Sequence, residues 1–206
     1  MDESSRLTPA ELDLVQDRTF FLAKARMTGK VTEWLKGVHV RLQADLAGVD
    51  LLVPSDFDPA KSQFVKGEHL EDHPYQYLDF PKHFSGGNTF TVRTLVWWGH
   101  HVAIALLLEG KHLARYKQNL LARYHDVADR ALHLSLGPDF WEWKFGEGHT
   151  FPITRGRRSE VAAILSGRSI LKLSRFLPFD DPVIAEGRLP DAAHKAVQAW
   201  LPVITP

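Results

Sequence analysis

The sequence predicts an α+β fold: one domain over residues 1–206, with an antiparallel sheet of about four strands, a central buried hairpin, an N-terminal helical pair and further helices packed on the sheet. Three observations carry this expectation. The segment Thr89–Glu109, TFTVRTLVWWGHHVAIALLLE, is apolar on both alternating faces of what reads as two strands around Gly99-His100-His101. Apolar stripes at helical spacing lie on both sides of it in the chain. A chain of 206 residues with 44% hydrophobic residues, six Trp and twelve Phe is long enough to bury roughly 70% of its unfolded surface around one core.

Taken in order, Thr8-Pro9-Ala10-Glu11 reads as a helix start. Thr8 caps, Pro9 suits the first helical position and Glu11 completes a capping box, so a helix to about Arg26 is expected. From Thr28 onward Val31, Trp34, Leu35, Val38, Leu42 and Leu46 recur at threes and fours, the apolar stripe of a second helix. Residues 53–85 are rich in Pro and Asp and read as a long structured loop closed by Gly86-Gly87-Asn88. Past the hairpin, Leu113, Tyr116, Leu120, Leu121, Tyr124 and Val127 mark a third helix. Ala131–Leu136 and Phe140–Phe145 alternate in polarity and predict two strands joined at Gly137-Pro138-Asp139. A short helix follows over Ser159–Leu165, ending at Gly167. The last helix runs Asp191–Leu201, with Pro190 at its start and Pro202 beyond its end.

Composition removes several classes of function. Lys and Arg number 25 and so do Asp and Glu, so no net charge draws the whole molecule to nucleic acid or to an anionic membrane. Cysteine is absent, which excludes disulfides, a thiolate nucleophile and a Cys-ligated zinc. The first residues carry no basic start followed by an apolar run, and the apolar runs fall short of the roughly 20 residues of a membrane helix. The expectation is a soluble cytoplasmic protein, with neither a membrane nor a nucleic-acid partner, and with no cofactor named by any motif.

The functional question centres on Arg93. Strand alternation puts Phe90, Val92, Thr94, Val96 and Trp98 on one face and Thr91, Arg93, Leu95 and Trp97 on the other, so a guanidinium lands mid-strand among apolar neighbours. It cannot lose its proton there and requires a carboxylate, a ligand anion or a path to water. The segment just upstream, Lys66–Phe84, concentrates Glu68, His69, His73, Tyr75, Asp79 and His83. These and Arg93 are the candidate ligand-binding residues, since carboxylates and imidazoles around a buried arginine suit a polar ligand or acid–base work. The competing reading is a structural pair of Arg93 with Asp79 or Glu68, under Tyr75, Tyr77, Phe80 and Phe84.

Other constellations are weaker. His69 and His73 stand four apart, but Pro74 pushes His73 out of the helical region, and Glu68 precedes the first histidine where zinc proteases have it following, so no metal site is expected. Neither a Gly-x-Ser-x-Gly elbow nor a glycine-rich phosphate loop occurs. Arg155, Arg157 and Arg158 at the entrance to the Ser159 helix form a second candidate anion site, against which stands a solvated helix entrance.

The run from Lys66-Gly67-Glu68 through Pro74-Tyr75 and Leu78-Asp79-Phe80-Pro81 to Arg93-Thr94 and Trp97-Trp98-Gly99 resembles a family of bacterial proteins of about this length to which no activity has been assigned. The resemblance covers the middle third of the chain; it implies a shared fold and carries over no catalytic or binding role. Three functions therefore stand open. The first is a binding module for a small anionic ligand or a partner protein, using Arg93 and residues 66–84. The second is an enzyme with His69, His73 or His83 carrying the proton and Glu68 or Asp79 orienting it. The third is a homo-oligomerisation domain meeting a copy of itself through Trp97/Trp98 or the Val31–Leu46 stripe. The direction in which Arg93 points separates the first two from a purely structural role.

Overall fold

The computed structural model describes residues 5–206, which divide into two compact units between Glu33 and Trp34. In the first unit, α1 (Pro9–Gln16) begins at the expected capping box: the Thr8 hydroxyl accepts from the Glu11 amide at 3.3 Å and the Glu11 carboxylate accepts from the Thr8 amide at 2.6 Å. Those bonds to Thr8 hold the Glu11 carboxyl below its ordinary pKa. The helix stops at Asp17, well before Arg26. The Asp17 carboxylate accepts from the Phe20 amide at 3.0 Å and starts α2 (Arg18–Leu46), a helix of 29 residues that continues into the second unit.

The second unit is built on one sheet. Its strands are β1 (Gln63–Leu70), β2 (His73–Ser85), β3 (Asn88–Trp97), β4 (His101–Glu109), β5 (His133–Ser135), β6 (Thr150–Pro152) and β7 (Ile170–Leu177). All pairings are antiparallel, in the spatial order β1-β2-β3-β4-β7-β5-β6. Seven strands replace the four expected. The Pro- and Asp-rich segment before the central hairpin folds as the β1–β2 hairpin; its turn residues Glu71 and Asp72 take positive φ, 48° and 61°. Ile170–Leu177 pairs with β4, and Thr150–Pro152 pairs with β5. Phe140–Phe145, by contrast, alternates in polarity without pairing in the sheet; it runs as irregular chain over one sheet face.

The central hairpin is buried on both sides, as its sequence requires: every residue from Thr89 to Trp97 and from Val102 to Leu108 is buried. One face, carrying Leu78, Phe90, Val92, Val96, Ile104, Leu106 and Leu173, is covered by helices. These are α2 beyond Trp34, α3 (Leu113–Ala122) and α7 (Leu189–Ile204). His39 of α2 meets Phe80 edge-on at 4.5 Å, Tyr116 of α3 lies 6.3 Å from Phe90, and Asp45 of α2 bonds His194 of α7 at 2.9 Å. Helix α7 continues through Pro202 to Ile204 instead of ending before it. The short helices α4 (Tyr124–Val127), α5 (Arg158–Ser166) and α6 (Pro182–Ala185) complete the unit. Across the opposite face Leu95, Trp97, Ala103, Ala105 and Leu107 pack with Trp143 from the strap of residues 136–149. No helix of the described residues is long and apolar enough to cross a membrane.

Gly110 joins the hairpin to the turn between β2 and β3. At φ +92°, a Cβ there would stand 2.4 Å from Asn88 Oδ1 and 2.7 Å from the Gly87 carbonyl oxygen, whereas Gly48 at φ +73° faces open space. Gly110→Ala is expected to destabilise by about 3 kcal/mol and Gly48→Ala by about 1 kcal/mol in equilibrium urea unfolding. Equal losses at the two positions would contradict this packing.

Candidate ligand cleft over the Arg93–Asp79 pair

Register places the site. Asp79 of β2 stands directly opposite Arg93 of β3, Arg93 opposite Ala105 of β4, and Ala105 opposite Ser174 of β7. Arg93 Nε donates to Asp79 Oδ1 at 2.7 Å and Nη2 donates to Oδ2 at 2.8 Å, a bidentate pair with side chains 4% and 1% exposed. Above the pair, the guanidinium carbon lies 4.1 Å from the Tyr77 ring centre, 5.0 Å from Trp141 and 5.8 Å from Trp143. The small residues Ala103 and Ala105 leave the room that Trp143 fills.

A cleft of about 240 Å³ opens here, lined by His69, Leu70, Tyr75, Tyr77, Arg93, Leu95, Trp141 and Trp143. Tyr75 and Tyr77 stack in parallel, 6.1 Å apart and 6° between planes. Gly67, paired with Tyr75 across β1–β2, makes the seat for that ring: a Cβ at 67 would lie 2.4 Å from it. Trp141 is 63% exposed and forms the outer wall. Burial pushes the Tyr77 hydroxyl above its ordinary pKa, so it stays protonated at neutral pH.

The strap that carries both tryptophans is held down by basic side chains. Lys172 of β7 donates to the carbonyls of Phe140, at 3.1 Å, and Glu142, and its ammonium lies 3.5 Å from the Trp143 ring centre. His101 Nε2 bonds the Trp143 carbonyl at 3.1 Å, and Arg168 donates to the carbonyls of Gly137, at 2.6 Å, and Leu136. Lys172 is 2% exposed. Burial, reinforced by the nearby Arg93 charge, pushes its pKa down to about 7. Burial likewise lowers His101 to about 4.

Of the sequence candidates, Arg93, Asp79, His69 and Tyr75 come together here. Glu68, on β1, lies 3.9 Å from Lys66 and does not line the cleft. His73 bonds the Glu71 carbonyl at 2.6 Å and meets His100 edge-on. A register shift between Asp79 and Lys82 changes the phase of β2, so His83 pairs with Phe90 and turns to the helix-covered face, where it lies 3.7 Å from Asp56. The three arginines diverge: Arg155 pairs with Asp129 at 3.3 Å, Arg157 lies over Phe151 and Arg158 donates to the Leu121 carbonyl. Lys172, Trp141 and Trp143 were not singled out as site residues from the sequence, although a lysine between leucines in ILKLSRFL is the same signal that marks Arg93. Among the described residues no group of three or more His, Asp or Glu side chains could hold a metal ion.

Three larger clefts lack a guanidinium held in a buried ion pair; one of about 510 Å³ sets Phe145 and Phe151 beside Arg157, but that arginine is exposed. Another of about 470 Å³, at Leu46, Val49, Phe57 and Pro81, has Gln43 as its one polar side chain, and the third, of about 650 Å³, mixes Arg130, Arg175, His194 and Lys195 with Asp126 and Asp129 and has no aromatic wall. No family model, curated protein or solved structure matches the chain.

Two outcomes follow for the buried charges. Arg93→Met is expected to cost on the order of 3–5 kcal/mol in urea unfolding by stranding the Asp79 carboxylate, and adding Asp79→Asn should return part of the loss; independent, additive losses would contradict the pairing. Lys172, depressed from 10.5, disfavours the folded state fully below about pH 7 and is relieved as pH rises from there towards 10.5. The wild type should therefore gain melting temperature between pH 7 and 10 relative to Lys172→Met, and parallel profiles would show that the ammonium is not desolvated.

Proposed function

We propose that the protein is a binding module for a small planar monoanion of the aromatic-carboxylate class, held in the cleft over Arg93. The observation that carries this reading is that a guanidinium locked in a buried ion pair also lines an open, aromatic-walled cleft. Asp79 occupies Nε and Nη2, which leaves Nη1 as the nitrogen free of the pair. Three of the guanidinium's five N–H groups therefore stay outside the pair, both on Nη1 and one on Nη2, an end-on fork that suits one further carboxylate, while the Asp79 charge beside it disfavours a polyanion. Tyr75, Tyr77 and Trp141 offer ring faces on which a planar group stacks. The cleft, about 240 Å³, lies below the roughly 300–1,000 Å³ of drug-sized pockets, so the ligand is small.

Acid–base catalysis in the same cleft is the second reading, favoured by an amine that titrates near neutrality at Lys172. Against it, that amine is capped by two carbonyls, and Asp79, one of the two carboxylates expected to orient a histidine, is committed to Arg93.

Benzoate and indole-3-carboxylate, with benzamide as the neutral control, test the proposal by tryptophan fluorescence and thermal shift. The carboxylates should bind more tightly than benzamide, and more tightly at pH 6 than at pH 9, because an anion nearby favours charged Lys172. Trp141→Ala, an exposed position, should weaken binding about tenfold while changing the stability of the free protein by no more than about 1 kcal/mol. Carboxylate binding untouched by Trp141→Ala and Tyr75→Ala, or none at millimolar ligand, overturns it.

A further inference from the structure

The first unit exposes a concentration of large apolar side chains that no other part of the described chain matches. Leu12, Leu14 and Val15 of α1 and Phe20, Phe21 and Leu22 of α2 are each 40–59% exposed, and Leu7 and Met27 join them. No residue of α1 is buried. An eight-residue helix with nothing buried is far below the roughly 12–15 residues at which isolated helices become even marginal in water. The α2 stripe makes the same point. Phe20, Met27, Val31, Leu35, Val38 and Leu42 follow one another at sevens, fours and threes along one side of the helix; the last four are buried, whereas Phe20 and Met27 are bare. Phe21 and Leu22 point away from that stripe, so the start of α2 is apolar nearly all round, a pattern that belongs to an enclosed helix.

We infer that two copies of this chain associate through residues 7–27, the α1 and early α2 segments of each packing antiparallel against those of the other. Charge favours a second copy as the occupant. Glu11, Asp13 and Asp17 make the α1 end acidic, and Arg18, Lys24, Arg26 and Lys30 make the start of α2 basic. In a two-fold interface residue i meets j and j meets i, so antiparallel pairing sets acidic α1 against basic α2 twice over. Area agrees: the exposed apolar side chains present on the order of 800 Å² per chain, which is what each partner contributes to a stable interface of standard size.

Light scattering coupled to size-exclusion chromatography of the full chain decides the matter. The wild type at about 50 μM is expected at twice the chain mass of 23.4 kDa. Phe21→Glu combined with Leu22→Glu should weaken association about 100-fold, with the near-ultraviolet signal of the sheet domain retained because both side chains are exposed. Cysteine is absent from the chain, so singly substituted Leu14→Cys and Met27→Cys proteins, mixed, should cross-link to each other through a short bismaleimide. A wild-type monomer at 100 μM, a dimer indifferent to the double substitution, or a monomer that instead binds phosphatidylglycerol vesicles through this segment overturns the inference.

Discussion

Arg93 lies at the midpoint of a strand whose two faces are both covered, and its charge dictates what can surround it. Removing a guanidinium from water is tolerable only with a carboxylate in fork geometry and with the remaining surface met by polarisable groups. Antiparallel register supplies the first condition by setting Asp79 directly across the ladder. Tyr77, Trp141 and Trp143 supply the second, their ring faces turned to the cation. The strap over this face therefore sits where it does for electrostatic as well as hydrophobic reasons. The helix-covered face, packed with Leu, Val and Ile, needs no such arrangement.

Irregular backbone laid over a sheet must satisfy its carbonyls without a ladder. Residues 136–149 do so by borrowing donors from the strands below and from Arg168: Lys172, His101 and Arg168 together take carbonyls from Leu136 to Trp143. Two of these donors have pKa values pushed down by burial, to about 7 and about 4. A neutral Lys172 amine still has two N–H groups for its two carbonyls and a neutral His101 ring still has one, so the strap keeps these bonds when the charges are lost.

Much of this was legible before any coordinates. The doubly apolar run around Gly99 read as a buried hairpin, Thr8 to Glu11 carried its own capping chemistry, and an arginine in mid-strand asked for a carboxylate, a ligand anion or a path to water; of the nearby carboxylates Asp79 and Glu68, register sets Asp79 opposite it. What stayed hidden was non-local. Pro and Asp in residues 53–85 disguised β1 and β2, because a Pro at the strand start and another beside a bulge are compatible with pairing in ways that composition does not reveal. The Trp141/Trp143 alternation was real, but period two describes any extended chain, and a strand also needs a neighbour. The break between the first helices was misplaced because Asp17 acts through a cap that only the restarted helix displays. Of the surfaces expected to meet a second copy, Trp97, Val31, Leu35, Val38 and Leu42 are buried, whereas Trp98, Trp34 and Leu46 are half-buried.

The phase change in β2 makes that strand serve two masters. Before it, Tyr75 and Tyr77 line the cleft and Asp79 lies on the same face beneath it; after it, His83 looks into the helical layer. Chain length is consequently unequal in meaning along one hairpin. Residues added at the Glu71–Asp72 turn would lengthen a loop and leave both faces as they are. Loss of a single residue between Asp79 and Lys82 would exchange inside for outside over the rest of the strand, so this protein should tolerate length variation at its turns and reject it in the middle of its second strand.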